Sequence, residues 1–242
     1  MEQPRGILSI VSTPIGNLGD ISSRAINCLQ EADIVACEDT RHSGSLFRAH
    51  DIQTRRLSLH QHNEASRSAQ LMNMLAEGKN IAYVSDAGTP LISDPGARLV
   101  HLAASCGFEI QVIPGACSVT SALAGAGFPA DRFYFGGFLS TKKVARTKEL
   151  EQALGLEVTS VYFESPHRID STLMILATLA PDRALVIARE LTKKFEEFRR
   201  GSAQFLAEEF HDRRTKGEIV LIISGSRTPG WMRKPGPAKA YP

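Results

Sequence analysis

Apolar positions along the chain fall into short β-branched runs separated by longer stretches of helical period. Strand-like runs lie near residues 7–12, 33–37, 55–59, 80–84 and 109–113. Between them the spacing of apolar residues predicts helices, among them 23–31, 65–77 and 97–105. Strand and helix in strict alternation predict βαβ units and a mostly parallel sheet, hence an α/β fold. The breaker-rich stretch Ala124-Gly125-Ala126-Gly127-Phe128-Pro129-Ala130-Asp131 reads as a boundary. Past it the pattern is less regular, with strands near 133–136, 159–163, 184–188 and 218–223, and helices near 142–154, 168–179 and 203–213. Residues 195–200 could form a further strand. The expected organisation is an N-terminal α/β domain over 1–126 and a mixed α/β domain over 127–225. A tail over 226–242 has four prolines and no strand or helical period, so it is expected to be poorly ordered.

Composition narrows the classes. The chain is 43% hydrophobic and 22% charged, and no apolar run approaches the roughly 20 residues a membrane helix needs. The N-terminus lacks the basic and apolar regions of a signal peptide, so a cytoplasmic location is expected. Cys28, Cys37, Cys106 and Cys117 show no metal-ligand spacing and read as reduced, mostly buried thiols. The histidines form no metal motif either, so no metal site is expected. Residues 1–125 carry nine basic and twelve acidic side chains, a net −3, and residues 126–242 carry nineteen and fourteen, a net +5. The split points to a polyanionic partner held by the second half, or to an ordinary solvated surface.

Chemistry concentrates at strand ends. The segment Val84-Ser85-Asp86-Ala87-Gly88-Thr89-Pro90-Leu91-Ile92-Ser93-Asp94-Pro95-Gly96 carries a strand into acidic turns rich in glycine and proline. In an open α/β sheet, ligands bind beyond the carboxyl ends of the strands. Glycine lets backbone approach a ligand, and proline stiffens the loop. Asp86 and Asp94 either offer carboxylates to that ligand or are turn residues. Asp94, before Pro95, has the place of a helix cap. Thr13-Pro14-Ile15-Gly16-Asn17-Leu18-Gly19-Asp20 follows the first strand but is not a dinucleotide G-x-G-x-x-G, which disfavours a nicotinamide oxidoreductase. Cys37-Glu38-Asp39-Thr40-Arg41-His42 follows the second strand. Ile113-Pro114-Gly115-Ala116-Cys117-Ser118 follows the fifth, its small residues leaving room for a flat ring. Four such loops suit a ligand with a cation, hydroxyls and an apolar ring, and S-adenosylmethionine fits.

The second half adds Tyr162-Phe163-Glu164-Ser165-Pro166-His167-Arg168, which collects an acid, a hydroxyl, an imidazole and a guanidinium at a strand-to-helix turn. Ser165 before Pro166 also reads as a helix cap. The run from Ala188 to Arg200 interleaves cations with phenylalanines. It suits phosphates and stacked bases, or else is an amphipathic strand pair with paired charges. Lys142, Lys143, Arg146 and Lys148 form another basic cluster on an expected helix, by default a solvated face.

Together these segments resemble the tetrapyrrole methylase superfamily of S-adenosylmethionine-dependent methyltransferases, over nearly the whole chain before the tail. The likeness rests on Thr13 to Asp20, Glu38 to Arg41, Ser85 to Pro90 with Ser93 to Gly96, Pro114 to Ala116, Phe163 to Arg168 and Ala188 to Lys194. It is specifically to the branch that modifies small-subunit ribosomal RNA. It implies two α/β domains with the cofactor in the cleft between them, a homodimer, and methylation of a cytidine ribose 2′-hydroxyl in the decoding region of 16S rRNA within a small-subunit particle. The cofactor residues it implies are Ile15, Asp86, Gly88, Thr89, Ala116, Cys117 and Phe163. Residue chemistry makes Glu164 and His167 candidate proton acceptors and Arg41, Lys142, Lys143, Arg168, Arg189, Lys193 and Lys194 candidate RNA contacts. Rival readings are a methyltransferase of the same fold acting on a tetrapyrrole or a protein side chain, and a non-catalytic RNA-binding assembly factor.

Overall fold

Each βα repeat of the first half becomes one strand of a parallel sheet. In the computed structural model, which describes residues 5–226, the strands are β1 (Ile7–Val11), β2 (Ile34–Cys37), β3 (Arg56–Ser58), β4 (Ile81–Val84) and β5 (Glu109–Ile113). Their order is β3-β2-β4-β1-β5, and every pairing is parallel. The carboxyl ends therefore share one edge, with Cys37 beside Val84 and Val11 beside Ile113 in register. α1 (Ser23–Glu31), α2 (Ser43–Ala49), α3 (Glu64–Ala76) and α4 (Ala97–Ser105) connect or follow them.

Period-2 alternation sorts the strand residues between two cores. Leu8, Ile10, Ile81 and Tyr83 pack with Leu71 and Leu75 of α3 and Leu99 of α4. Val11, Val35, Ala82 and Val84 pack with Leu29 of α1 and Phe47 of α2. Each fully buried leucine contributes about 2 kcal/mol of apolar transfer free energy. Both faces are covered, which is why β2 and β4 read as unbroken apolar runs with every residue buried. The sequence pattern does not show α2, whose seven residues include Gly44 and are too few for a period. It forms because Leu46 and Phe47 are buried.

The start of α4 differs from expectation. Asp94 does not cap it; Gly96 holds that place with φ +114°, and a Cβ there would lie 2.3 Å from the Tyr83 ring. The capping acceptor is remote: Glu64 Oε1 accepts from the N–H groups of Gly96 and Arg98, each at 3.1 Å. Tyr83 donates its hydroxyl to the Pro95 carbonyl at 2.6 Å.

The second half holds α5 (Ser118–Ala126), β6 (Phe133–Phe138), α6 (Lys143–Gly155), β7 (Thr159–Glu164), α7 (Ile169–Leu179), β8 (Ala184–Arg189), β9 (Glu197–Ser202), α8 (Ala203–Phe210) and β10 (Ile219–Ile223). The sheet order is β6-β7-β10-β8-β9, with β6 and β7 parallel and the remaining pairs antiparallel. The last strand thus enters the middle of the sheet, an arrangement no local pattern announces. The core joins Leu150, Tyr162, Leu173, Leu176, Ile187, Leu206, Phe210 and Leu221.

The chain divides into two compact units, one ending at Cys117 and the other beginning at Ser118. α5 packs on β8, β9 and β10, so the breaker-rich stretch, which begins in its last turn, lies inside the second unit. Gly125 is small for a packing reason: a Cβ there would meet the Phe198 ring at 2.3 Å. Of the expected tail, residues 227–242 lie outside the described residues. Among the described residues, no helix is long and apolar enough to cross a membrane.

Candidate functional site

Three loops at the carboxyl edge of the first sheet are tied to one another. The Thr13 N–H donates to the Gly88 carbonyl at 2.9 Å, and the Gly88 N–H donates back at 3.1 Å. The Thr89 hydroxyl donates to the Ala116 carbonyl at 3.1 Å and lies 3.1 Å from the Ser12 hydroxyl. A hydroxyl has one proton, so Ser12 is the donor to Thr89. Gly88 has φ +83°, and a Cβ on it would sit 3.1 Å from Ile15 Cγ2 and 3.7 Å from the Ala116 carbonyl oxygen. Ile15, Gly88, Thr89 and Ala116 are thereby brought together, with half-buried Cys117 next in the chain.

Carboxylates crowd the same edge. Asp86 Oδ1 accepts the Asp39 N–H at 3.0 Å, which binds the loop after β2 to the loop after β4. Burial raises the pKa of Glu38 and of Asp94, with the Asp86 charge adding to each and a hydrogen bond from Ser85 partly offsetting it at Asp94. Thr13, 3% exposed, has a buried hydroxyl with no partner among the described residues. An unpaired hydroxyl at Thr13 and the carboxylates of Glu38, Asp86 and Asp94 at one sheet edge suit a ligand with hydroxyl groups and positive charge. Arg41 folds back onto Asp39, NH2 to Oδ2 at 2.9 Å, and holds the Asp39 carboxyl down to about 2. Its side chain is 90% exposed. Ser12, Glu64 and Arg56, which donates to the Thr40 carbonyl at 2.7 Å, were not marked by the sequence pattern. Their roles depend on partners distant in the chain.

In the second unit Glu164 is a buried anchor. Its carboxylate accepts the Ser165 N–H at 2.6 Å, Arg168 NH2 at 2.7 Å and the Thr172 hydroxyl at 2.6 Å, with its side chain 0% exposed. That geometry conflicts with the expectation of Glu164 as a proton acceptor, because its lone pairs are committed. His167 is exposed. Ser165 does not cap α7, whose cap position is Arg168; its hydroxyl accepts the His167 N–H at 3.3 Å. Phe163 sits edge-on to Phe135 and Phe138, with centroids 5.1 and 5.2 Å away.

The basic clusters divide. Lys142, Lys143 and Lys148 are exposed at α6, while Arg146 is 4% exposed and turned inward to the Ser140 carbonyl (3.2 Å) and Ser171 hydroxyl (3.1 Å). Arg146 is therefore no part of a solvated face. Arg189 is bound to Glu197 at 2.9 Å, and Lys193 to Glu190 at 2.8 Å and Glu218 at 3.0 Å. Lys194 is exposed. The cysteines are all free, yet only Cys37 is buried, Cys106 being exposed. The thiols are thus less buried than expected.

A family profile described as Tetrapyrrole (Corrin/Porphyrin) Methylases matches residues 8–207. The chain belongs to the tetrapyrrole methylases. Its relatives include the Ribosomal RNA small subunit methyltransferase I of Synechocystis, 46% identical over 222 residues, covering 91% of this chain and 80% of that one. The protein of that name from Vibrio cholerae is 44% identical over 237 residues, covering 96% and 82%. A crystal structure of diphthine synthase is 16% identical with a TM-score of 0.72, covering 94% of this chain and 93% of that one, a likeness of fold. As a tetrapyrrole methylase the chain uses S-adenosylmethionine as methyl donor. The residues at the first sheet's edge fit that group: acids for its positive charge, a hydroxyl for its polar atoms, and no side chain at Gly88.

Proposed function

We propose that the chain methylates the ribose 2′-hydroxyl of a cytidine in the decoding region of 16S ribosomal RNA, acting on a small-subunit particle as a cytoplasmic homodimer. The observation that carries the substrate is identity of 44–46% across more than nine-tenths of this chain to proteins named for small-subunit ribosomal RNA. Fold alone would not distinguish RNA from a tetrapyrrole.

S-adenosylmethionine, when bound, supplies an electrophilic methyl group. Ile15, Gly88, Thr89, Ala116 and Cys117 would hold it, with Asp86 accepting hydrogen bonds from its polar end. Displacement at a methyl group demands alignment above all, so positioning supplies most of the rate. His167 is the candidate acceptor for the hydroxyl proton, being exposed where Glu164 is saturated. Glu164 acts as a positioning residue, fixing Arg168 toward a phosphate. Arg41, Lys142, Lys143 and Lys194 add phosphate contacts, while Arg189 and Lys193 hold the chain that carries Lys194.

The test is incubation with labelled S-adenosylmethionine and small subunits lacking the modification, followed by mass-spectrometric mapping. Label on a cytidine 2′-oxygen of 16S rRNA is expected. Label on protein or small molecules with none on RNA overturns the reading.

A further inference from the structure

The connection between β8 and β9 is more strained than a hairpin requires. Glu190 has φ 52° and Thr192 has φ 64°, a region that β-branched residues avoid. Such backbone persists only where its surroundings over-determine it. Here they do: the Thr192 N–H donates to the Glu196 carboxylate at 2.6 Å, and Arg189 donates to the Phe195 carbonyl at 3.3 Å and the Lys216 carbonyl at 3.0 Å. Glu190 accepts Lys193 at 2.8 Å and the Glu218 N–H at 3.0 Å. Gly217 admits that carboxylate, since a Cβ on it would lie 2.4 Å from Glu190 Cδ.

The consequence is selective. Glu190, Glu196 and Glu197 are each engaged by partners inside the hairpin or its neighbours. Lys194 has no acid partner among the described residues, and its ammonium lies 5.6 Å from the centroid of the Phe195 ring. That ring is 64% exposed. Phe198, the other aromatic of the run, is spent on packing over Gly125 and under Arg200.

We propose that Phe195, with Lys194 against it, is a stacking platform for an unpaired base of the RNA substrate. This rests on the RNA reading above and assigns a contact that reading does not contain. A flat ring accepts the face of any base, and the unpaired ammonium neutralises the adjoining phosphate. The rigid hairpin holds both ready without an ordering cost on binding.

Phe195→Ala and Phe195→Leu are expected to weaken binding to small subunits lacking the modification about tenfold, with melting unchanged. Phe195→Trp retains affinity. The added indole, after subtraction of wild-type emission from Trp231, is quenched by a pyrimidine-rich single-stranded RNA. Undiminished binding by the Ala and Leu variants, beside a wild type that binds and methylates RNA, overturns the platform and leaves the RNA reading standing. A wild type that binds no RNA overturns both. A changed oligomeric mass in Phe195→Ala with unchanged RNA affinity assigns the ring to a protein contact and also overturns the platform.

Discussion

Arg168 NH2 meets Glu164 Oε1 at 2.7 Å while the glutamate side chain is wholly buried. Removing one partner of such a pair leaves the other uncompensated, which costs about 3 kcal/mol. Glu164→Gln is accordingly expected to lower the melting temperature by about 6–12 °C. His167→Gln should leave melting unchanged and reduce turnover about 100-fold at saturating cofactor. Calorimetric melts beside single-turnover rates check both. Normal stability with lost turnover in Glu164→Gln would return the glutamate to the chemistry.

Gly88 admits the loops around it and keeps a left-handed backbone. Gly88→Ala adds a methyl 3.1 Å from Ile15 Cγ2 at φ +83°. S-adenosylmethionine affinity is expected to fall about tenfold or more, since backbone strain of this kind costs about 1–3 kcal/mol. Titration calorimetry measures it. Asp86→Ala is expected to weaken binding too, through loss of its carboxylate and of its tie to Asp39.

The raised pKa values of Glu38 and Asp94 make stability depend on pH in a defined sense. A carboxyl whose folded pKa exceeds its unfolded value binds protons more tightly when folded, so its contribution to stability declines as pH rises through that interval. Asp94→Asn removes the cost. Its melting temperature should exceed that of the wild type at about pH 7, and the gap should close towards about pH 5. The same substitution should weaken cofactor binding. Melting curves across that range, without and with S-adenosylmethionine, separate the effects.

Gly96 lies against Tyr83, and a Cβ would stand 2.3 Å from the ring. Gly96→Ala therefore forces a buried aromatic to shift and strains φ +114°. A loss of about 3 kcal/mol or more is expected. Tyr83→Phe, which removes only the hydrogen bond to Pro95, should cost about 1 kcal/mol. Denaturant unfolding of the two variants tests the difference.

Much of the site was legible as loops. Thr13 to Asp20, Asp86 to Thr89 and Ala116 with Cys117 stand out because glycine, proline and polar residues interrupt apolar runs, and such breaks are local. The roles inside the loops were less legible. Asp94 before Pro95 looks like a cap, yet the acceptor at α4 is Glu64, thirty-odd positions earlier in the chain. The run from Ala188 to Arg200 reads either as phosphate-binding cations or as a strand pair with paired charges, and only the pairing of β8, β9 and β10 decides for the second at Arg189 and Lys193, which Glu197, Glu190 and Glu218 claim.

The sequence by itself determined the alternating βα layout, the parallel first sheet and the strand ends where ligand loops must fall, because periods of 2 and 3.6 residues are set by neighbours along the chain. It also marked the polar run from Glu164 to Arg168. Tertiary structure alone decided that β10 enters between β7 and β8, and that Glu164 is a buried anchor while His167 stays exposed. It also decided that Phe195 and Lys194 project where Arg189 and Lys193 do not. The reason is physical: hydrogen bonding, burial and charge pairing depend on which distant residues share space, and a linear pattern does not record that.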